Sequence, residues 1–218
     1  LGNTSHVLDI PSCKLKIGGS SGTNGYVLTT DGSNNVSWQS VTSAAGGVTC
    51  HGTANTYAGD DAAQAITTGA TYNTAFGYKT LYSVTTGGST NTAVGACSLY
   101  ANTTGDANTA VGRLALATNT TASQNTALGE VAMWSNTTGA ENTATGAQAL
   151  YANTTGLQNT SSGYMALKKN TTGSYNQAFG HAAMCANTVG NYNTAVGYRT
   201  LCGNTTGERN AAFGNNAL

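Results

Sequence analysis

One phrase, repeated at a short and nearly constant period, constrains this chain more than any other feature. From Asn55 to Leu218 the pattern Asn-Thr-Ala-Val-Gly-x-x-Ala-Leu-x-x-Asn-Thr-Thr-Gly-x-x occurs ten times, spaced by 18 residues twice and then by 17 residues seven times. A unit this short cannot bury its own apolar face and is stable only when it is stacked on its neighbours. The repeat therefore predicts a solenoid. Positions within each coil are numbered from the first asparagine.

Residue types within the repeat favour strands over helices. Recurrent Gly, Asn and Thr-Thr interrupt any run of helix formers, whereas short runs of Thr, Val, Phe and Leu between turn residues are typical of strands. The sequence therefore predicts an all-β protein, a parallel β-solenoid or β-roll of about ten coils of 17 or 18 residues. Each coil is expected to hold two strands, one over positions such as Asn91 to Val94 and one ending in Ala-Leu, as at Ala149-Leu150.

Equivalent positions of neighbouring coils should stack at about 4.8 Å and form side-chain columns. Position 4 is mostly Val, Phe or Leu, and position 9 is Leu or Met in nine of ten copies, so we expect these two columns to fill the core. Positions 3 and 8 hold small residues, and we expect a second subunit to cover that face. The 12 charged residues from Asp60 to Arg209 occupy only positions 6, 7, 10, 11, 16 and 17, which should face water. These columns predict an oligomer.

Asparagine at position 1 and glycine at position 5 are expected to set the shape of the coil. Stacked asparagine amides can hydrogen-bond along the axis, as they do in cross-β ladders. Glycine permits the positive φ that turns the chain after the first strand. The predicted structural ladder comprises Asn73, Asn91, Asn108, Asn125, Asn142, Asn159, Asn176, Asn193, Gly95, Gly112, Gly129 and Gly146.

Composition and motifs argue against several classes of function. Only 7% of the residues are charged and the formal net charge is zero, so we expect no nucleic-acid partner. No apolar run approaches the ~20 residues of a membrane helix, so we expect no membrane insertion. Zinc-binding spacings and phosphate-binding loops are absent from the sequence, so no cofactor or metal is expected. His181 and the pair Asp60-Asp61 are interpreted as surface residues, because catalysis needs a base placed against a nucleophile. We expect no enzyme activity.

The chain has five cysteines. Cys185 and Cys202 share position 10 in consecutive coils, so they should lie one above the other, where either a disulfide or stacked thiols would fit. Cys13 and Cys50 are candidates for a second disulfide in an oxidising compartment. The odd number leaves intermolecular pairing open.

Two sets of residues are candidates for a binding or modified surface. Aromatic side chains at position 10 could stack on sugar rings, or instead on each other and at a subunit contact; they are Tyr82, Tyr100, Trp134 and Tyr151. Asn-Thr-Thr is also an acceptor sequence for N-glycosylation, which depends on host and secretion route, and otherwise these residues are simply turns. The candidate sites are Asn102, Asn119, Asn136, Asn153, Asn170 and Asn204.

Threonine pairs at positions 13 and 14, such as Thr103-Thr104, raise ice binding as a third hypothesis. Ice-binding proteins match water spacing with flat arrays of threonine. Adjacent residues of an extended chain point to opposite sides, which argues against one flat array here.

The first 54 residues differ from the repeat and are assigned to a separate attachment or capping region, with residues 55–218 as the solenoid. Two alternating runs, Tyr26 to Thr30 and Val36 to Val41, flank an Asp-Gly-Ser-Asn-Asn turn. This pattern predicts a β-hairpin.

The quoted motifs resemble those of known fibre proteins. The NTAVG core is similar to the NSVAIG-type repeat of trimeric autotransporter adhesin heads, which are left-handed parallel β-rolls intertwined as trimers. The longer NTAVGxxALxxNTTG phrase resembles repeats of phage and large-virus tail fibres, and Gly22 to Gln39 resembles the segment before such repeats. The resemblance implies a homotrimeric fibre at an extracellular or virion surface that presents a host-binding or glycan-binding surface. The alternative is an extracellular filament whose subunits join end to end.

Overall fold

The computed structural model describes residues 16–17, 20–21, 26–30, 36–40, 49–51, 54–66, 69–85 and 87–218, with side chains from residue 54 onward. The chain divides into two compact units, residues 1–47 and 48–218. Residues 49–51 and 54, which the sequence had assigned to the N-terminal region, fall within the second of these units.

The N-terminal unit contains two short antiparallel strand pairs. Strand β1 (Lys16–Ile17) pairs with β2 (Ser20–Ser21). Strand β3 (Tyr26–Thr30) pairs with β4 (Val36–Ser40), and Leu28 lies opposite Trp38. These last two strands coincide with the runs from which the hairpin was predicted. The residues between them lie outside the described part of the chain.

The second unit is a β-solenoid, which confirms the predicted fold class. Strand β5 (Thr49–His51) pairs antiparallel with β6 (Asn55–Ala58), and β6 begins a parallel stack in which each strand is hydrogen-bonded to the next strand of the chain. Equivalent repeat positions are in register, so Ala127 of one coil lies opposite Ala144 of the next. The remaining strands are β7 (Thr74–Phe76), β8 (Thr92–Val94), β9 (Thr109–Val111), β10 (Thr126–Leu128), β11 (Thr143–Thr145), β12 (Thr160–Ser162), β13 (Gln177–Phe179), β14 (Thr194–Val196) and β15 (Ala211–Phe213).

Each coil contains one strand, so the prediction of a second strand was wrong. Positions 7 and 9 have left-handed backbone, as at Leu114 (φ 58°) and Leu116 (φ 51°). A strand requires negative φ, so this segment runs as a series of turns. It is still bonded between coils, because the Leu116 N–H donates to the Ala132 carbonyl oxygen at 3.0 Å. Left-handed backbone costs an ordinary residue about 1–2 kcal/mol, and these bonds and the burial of position 9 offset that cost.

The core lies between position 3 on the strand and positions 8 and 9 on the turns. Ala127, Ala132 and Met133 are all fully buried, as are their counterparts in neighbouring coils. The prediction for position 9 is therefore confirmed from Leu81 to Leu201, whereas Leu218 at position 9 of the last copy is 93% exposed. Position 4 points outward, with Val111 39% and Leu128 37% exposed, so its assignment to the core was wrong. The small-residue face expected to meet another subunit is the interior of the coil.

The physical reason is the narrow cross-section of a 17-residue coil. Successive strand residues point to opposite faces, so either position 3 or positions 2 and 4 face inward. Position 9 already supplies a large side chain to the interior, as at Leu116 and Leu150. An alanine methyl fits opposite it at native packing density, whereas a second large column would be overpacked.

Asparagine at position 1 forms a continuous buried ladder. Asn125 Oδ1 accepts the backbone N–H of Asn142 at 3.0 Å and its side-chain Nδ2 at 3.2 Å, while Asn125 Nδ2 donates to the Gly139 carbonyl oxygen at 3.0 Å. The amide thus bonds to the adjacent coil and also closes the turn of its own coil. Members at most 1% exposed are Asn55, Asn73, Asn91, Asn108, Asn125, Asn142, Asn159, Asn176 and Asn193.

Glycine at position 5 lies where the backbones of adjacent coils come closest. Gly112 has φ 129°, and a Cβ placed on it would lie 2.5 Å from the Gly129 carbonyl oxygen. Gly95, Gly129 and Gly146 show the same left-handed φ and the same close approach to the following coil. Side chains are thus excluded at this corner by both backbone conformation and space.

Candidate functional site

The side chains at positions 2 and 4 of β7 to β15 form an outward-facing band that we call the outer strip. Position 4 contributes its apolar members, which are Phe76, Val94, Val111, Leu128, Phe179, Val196 and Phe213. Position 2 is threonine in seven of these nine strands. Neither position carries a charged residue in any of them, because the charged residues lie at turn positions. The outer strip is about 40 Å long at the spacing of parallel strands.

The position-10 aromatic residues form two separate stacks. Tyr82 and Tyr100 have ring centroids 5.1 Å apart, and Trp134 and Tyr151 have centroids 5.5 Å apart, with nearly parallel planes in both pairs. Ala117 occupies position 10 of the coil between the two pairs. Because the rings of each pair cover one another's inner faces, the four side chains do not form one continuous sugar-binding platform.

Lys79 makes a cation–π contact with the stack of Tyr82 and Tyr100. The Lys79 ammonium lies 5.2 Å from the ring centroid of Tyr78 and 5.5 Å from that of Tyr82. A side-chain hydrogen bond and a charge interaction with Tyr78 raise the pKa of Lys79. This side chain remains charged at neutral pH.

Asparagine at position 12 forms a second ladder, which the sequence analysis missed. Asn136 Nδ2 donates to Asn119 Oδ1 in the preceding coil at 2.9 Å and to the Gly139 carbonyl oxygen at 2.9 Å. The equal spacing of this asparagine from coil to coil could have predicted the ladder. The Asn-Thr-Thr sequence was instead interpreted as a glycosylation site. The ladder comprises Asn102, Asn119, Asn136, Asn153, Asn170, Asn187 and Asn204.

This ladder bears on the candidate N-glycosylation sites. Asn102, Asn119, Asn136, Asn153 and Asn170 are fully buried, and Asn204 is half-buried. From Asn119 onward, both amide hydrogens of these side chains are donated within the solenoid. A sugar on Nδ2 would replace one of them and needs space that the folded coil does not contain. We therefore assign these side chains to coil closure.

The paired threonines at positions 13 and 14 do not form one array. Thr103 Oγ1 donates to the Thr120 carbonyl oxygen at 3.0 Å, and Thr137 Oγ1 donates to Thr154 in the same way at 3.1 Å. The second threonine of each pair, such as Thr104, is exposed. The first hydroxyl is thus bonded within the solenoid, and the regular threonine column on a strand is the one at position 2 of the outer strip.

Of the cysteines, Cys185 and Cys202 form a disulfide between consecutive coils, with Cα atoms 5.1 Å apart. Cys97 is a free, half-buried thiol. Cys50 lies in β5, where only the backbone is described, and Cys13 lies outside the described residues.

A cleft of about 370 Å³ lies on the turn side of the solenoid beside this disulfide, and we call it the basic cleft. Lys168, Lys169 and Arg199 line it, together with the rings of His181 and Tyr198. These residues come from three consecutive coils and are separated by up to 31 positions in the sequence. This grouping was not predicted from the sequence, in which His181 was interpreted as a surface residue.

His181, Asp60 and Asp61, the residues weighed for catalysis in the sequence, lie in separate places on the solenoid. His181 lies between Tyr164 and Tyr198, with both ring-centroid distances 5.2 Å. Asp60 and Asp61 are exposed, and Asp61 accepts a 3.4 Å hydrogen bond from Gln64. Within the described part of the chain, no group of three or more His, Cys, Asp or Glu side chains could hold a metal ion. The same residues contain no helix long and apolar enough to cross a membrane.

Comparison with protein-family models, with curated proteins and with solved structures found no match to this chain. The resemblance to fibre repeats therefore rests on the quoted motifs alone.

Proposed function

We propose that this protein is a structural and adhesive fibre element, in which the solenoid is a rigid spacer and its turns present a carbohydrate-binding surface. The outer strip carries the proposal. It is a long, uncharged surface, in which a mostly apolar column at position 4 runs beside a threonine column at position 2, and the charged residues between 55 and 218 all lie elsewhere. Contiguous exposed apolar patches larger than a few hundred Å² mark interaction sites in soluble proteins.

A second copy of the chain is the partner that fits the outer strip. The strip repeats once per coil, at about 4.8 Å, so a second copy, which has the same repeat, matches it along its full length. Because the outer strip has no charged side chains, packing two strips together causes no charge repulsion within the interface. Three copies that turn their strips toward a common axis bury all of them, and the number three follows the resemblance to trimeric adhesin heads.

An oxidising environment, extracellular or on a virion surface, is part of this proposal. Its support is the disulfide between Cys185 and Cys202, since such bonds persist mainly outside reducing compartments.

Native mass measured by light scattering after size exclusion tests the self-association. We expect about three times the chain mass of 21.9 kDa. Leu128→Lys places a charge in the middle of the outer strip and should produce monomers. Thr121→Lys adds the same charge at an exposed turn position and should leave the mass unchanged. A monomeric wild-type chain would overturn the proposal, and long polymers would favour the end-to-end filament.

Ice binding is a second candidate, favoured by the threonine column at position 2 of the outer strip. Thr109 and Thr126 lie opposite each other on adjacent parallel strands. Ice binding needs a flat face. Phe76 and Phe179 are much larger than their neighbours in the strip and interrupt that flatness. Thermal hysteresis separates the two functions: ice binding requires it in the monomer, whereas a fibre whose strips are covered should show none.

A further inference from the structure

Charge is distributed unevenly along the turn side of the solenoid. Arg113 pairs with Glu130 at 2.7 Å, and Arg209 lies 3.9 Å from Glu208. By contrast, Lys168, Lys169 and Arg199 make no ion pair with any residue that the structure describes, and no Asp or Glu lines the basic cleft. Three of the six cations between residues 55 and 218 thus converge on one concave surface without a counter-charge.

The floor of the basic cleft is apolar and depends on small side chains at position 10. Earlier coils carry Tyr82, Tyr100, Trp134 or Tyr151 there, and those rings fill the turn surface by stacking on each other. Cys185 and Cys202 replace them in two consecutive coils, and the disulfide between them lines the cleft with Ala182. The smaller side chains leave space where a ring would stand, and the disulfide holds the two coils together.

One wall of the basic cleft is aromatic. His181 and Tyr198 occupy position 6 of consecutive coils and their rings are stacked, and Tyr198 is 46% exposed. Tyr164, one coil earlier, lies against the other side of His181 with its ring tilted by 39°. Such rings offer apolar surface to C–H groups together with a polar tip for hydrogen bonds. The cleft therefore joins an aromatic wall and an apolar floor to unpaired cations.

We propose that the basic cleft binds an acidic saccharide, with its carboxylate or sulfate against Lys168, Lys169 and Arg199 and its C–H face against Tyr198. The choice of a saccharide rests on the proposed carbohydrate-binding function of the fibre. Binding sites for small organic ligands have volumes of about 300–1,000 Å³, which includes this cleft and exceeds the needs of a single inorganic anion. Nucleic acid is disfavoured, because the three coils extend only about 10 Å and cannot follow a phosphate backbone.

Calorimetric titration of the purified chain at low salt tests the proposal with three disaccharides. One contains glucuronate without sulfate, one is sulfated without uronate, and maltose is the neutral control. We expect at least one acidic disaccharide to bind and maltose not to bind, and the tighter of the two acidic probes identifies the anionic group. Equal binding of maltose, tighter binding of a short single-stranded DNA, or equally tight binding of inorganic sulfate alone would overturn the proposal.

Matched variants localise the site. Lys168→Gln and Arg199→Gln should each weaken binding about tenfold, since each removes a charge-assisted contact. Arg113→Gln removes a cation outside the cleft and should leave affinity unchanged. Tyr198→Ala should also weaken binding. If both charge variants bind as the wild type does, the ligand does not occupy the basic cleft.

Native mass and circular dichroism measured on the same samples separate this proposal from the fibre proposal. Failure to bind with a trimeric mass contradicts the saccharide site alone. Binding by a monomeric chain contradicts the self-association alone. Unchanged dichroism shows that a lost affinity does not come from unfolding.

Discussion

Asn136 Nδ2 donates a 2.9 Å hydrogen bond to Oδ1 of Asn119, one coil earlier, and both side chains are fully buried. Asn136 Oδ1 in turn accepts from Asn153 Nδ2 at 2.8 Å, so each amide in this ladder is both donor and acceptor. Removal of one member leaves buried polar groups unpaired in the coils on both sides.

Substitution of Asn136 tests how much this ladder stabilises the solenoid. Asn136→Ala should lower the free energy of unfolding by about 2–4 kcal/mol, because a buried unsatisfied group costs roughly 1–3 kcal/mol. Asn204→Ala is the matched control, since Asn204 is half-buried and its bonds run only to Asn187 and Gly207. A smaller loss is expected there. Denaturant titration measures both, and equal losses would contradict the ladder argument.

Because position 9 is buried and position 4 is exposed, substitutions of Leu116 and Leu128 should have different effects on stability. Leu116 is fully buried at position 9, whereas Leu128 at position 4 is 37% exposed. Leu116→Ala should cost about 2–5 kcal/mol at every protein concentration, as expected for a cavity in a packed core. Leu128→Ala should have its main effect on self-association. Thermal melting over a hundredfold range of concentration distinguishes them, and a large concentration-independent loss at Leu128 would contradict the outward assignment.

Left-handed backbone at position 17 predicts that a glycine can stabilise the coil. Ala107 is exposed with φ 55°, so Ala107→Gly should raise the free energy of unfolding by up to about 1 kcal/mol, since relief of the left-handed strain outweighs glycine's extra unfolded entropy. Ala140 at position 16 lies outside the left-handed region, and Ala140→Gly should cost about 0.5–1 kcal/mol. Destabilisation of similar size in both variants would contradict this account.

The close approach of coils at position 5 predicts that glycine is required there. Gly112→Ala places a methyl group 2.5 Å from the Gly129 carbonyl oxygen at a φ of 129°, so we expect a loss of at least about 2 kcal/mol. Gly203→Ala is the control, because the nearest atom to its added methyl is a flexible leucine carbon at 3.9 Å. The control should lie within about 0.5 kcal/mol of the wild type. Chemical denaturation compares the two, and a tolerated Gly112→Ala would show that the coils can separate.

Local chemistry in the sequence predicted several features correctly because each repeat position acts in the same way in every coil. The period predicted the parallel stack and its register, which Ala127 and Ala144 show directly. Leu or Met at position 9 was correctly assigned to the core, as Met133 shows. One repeat therefore already contains the residues that determine how the coils stack on each other.

The inward face of the strand was decided only by the tertiary structure. Valine or phenylalanine at position 4 is more hydrophobic than alanine at position 3, so residue type favoured the wrong column. The narrow interior already holds Leu116 and its counterparts, and it accepts only a methyl group opposite them. The volume available inside the coil, rather than the hydrophobicity of the side chain, therefore decides which column is buried. The larger apolar residues at position 4 lie on the outer surface.

The basic cleft, too, could be found only in the tertiary structure. Lys168, His181 and Arg199 are unremarkable apart from one another in the sequence, and each had a simple explanation as a solvated turn residue. Stacking places them in three consecutive coils beside the disulfide between Cys185 and Cys202. By itself the sequence determined the repeat, its β structure and the position-9 core, because these depend on residue type and period. The three-dimensional packing of coils decided which face is buried and which side chains meet, because both depend on the space between neighbours.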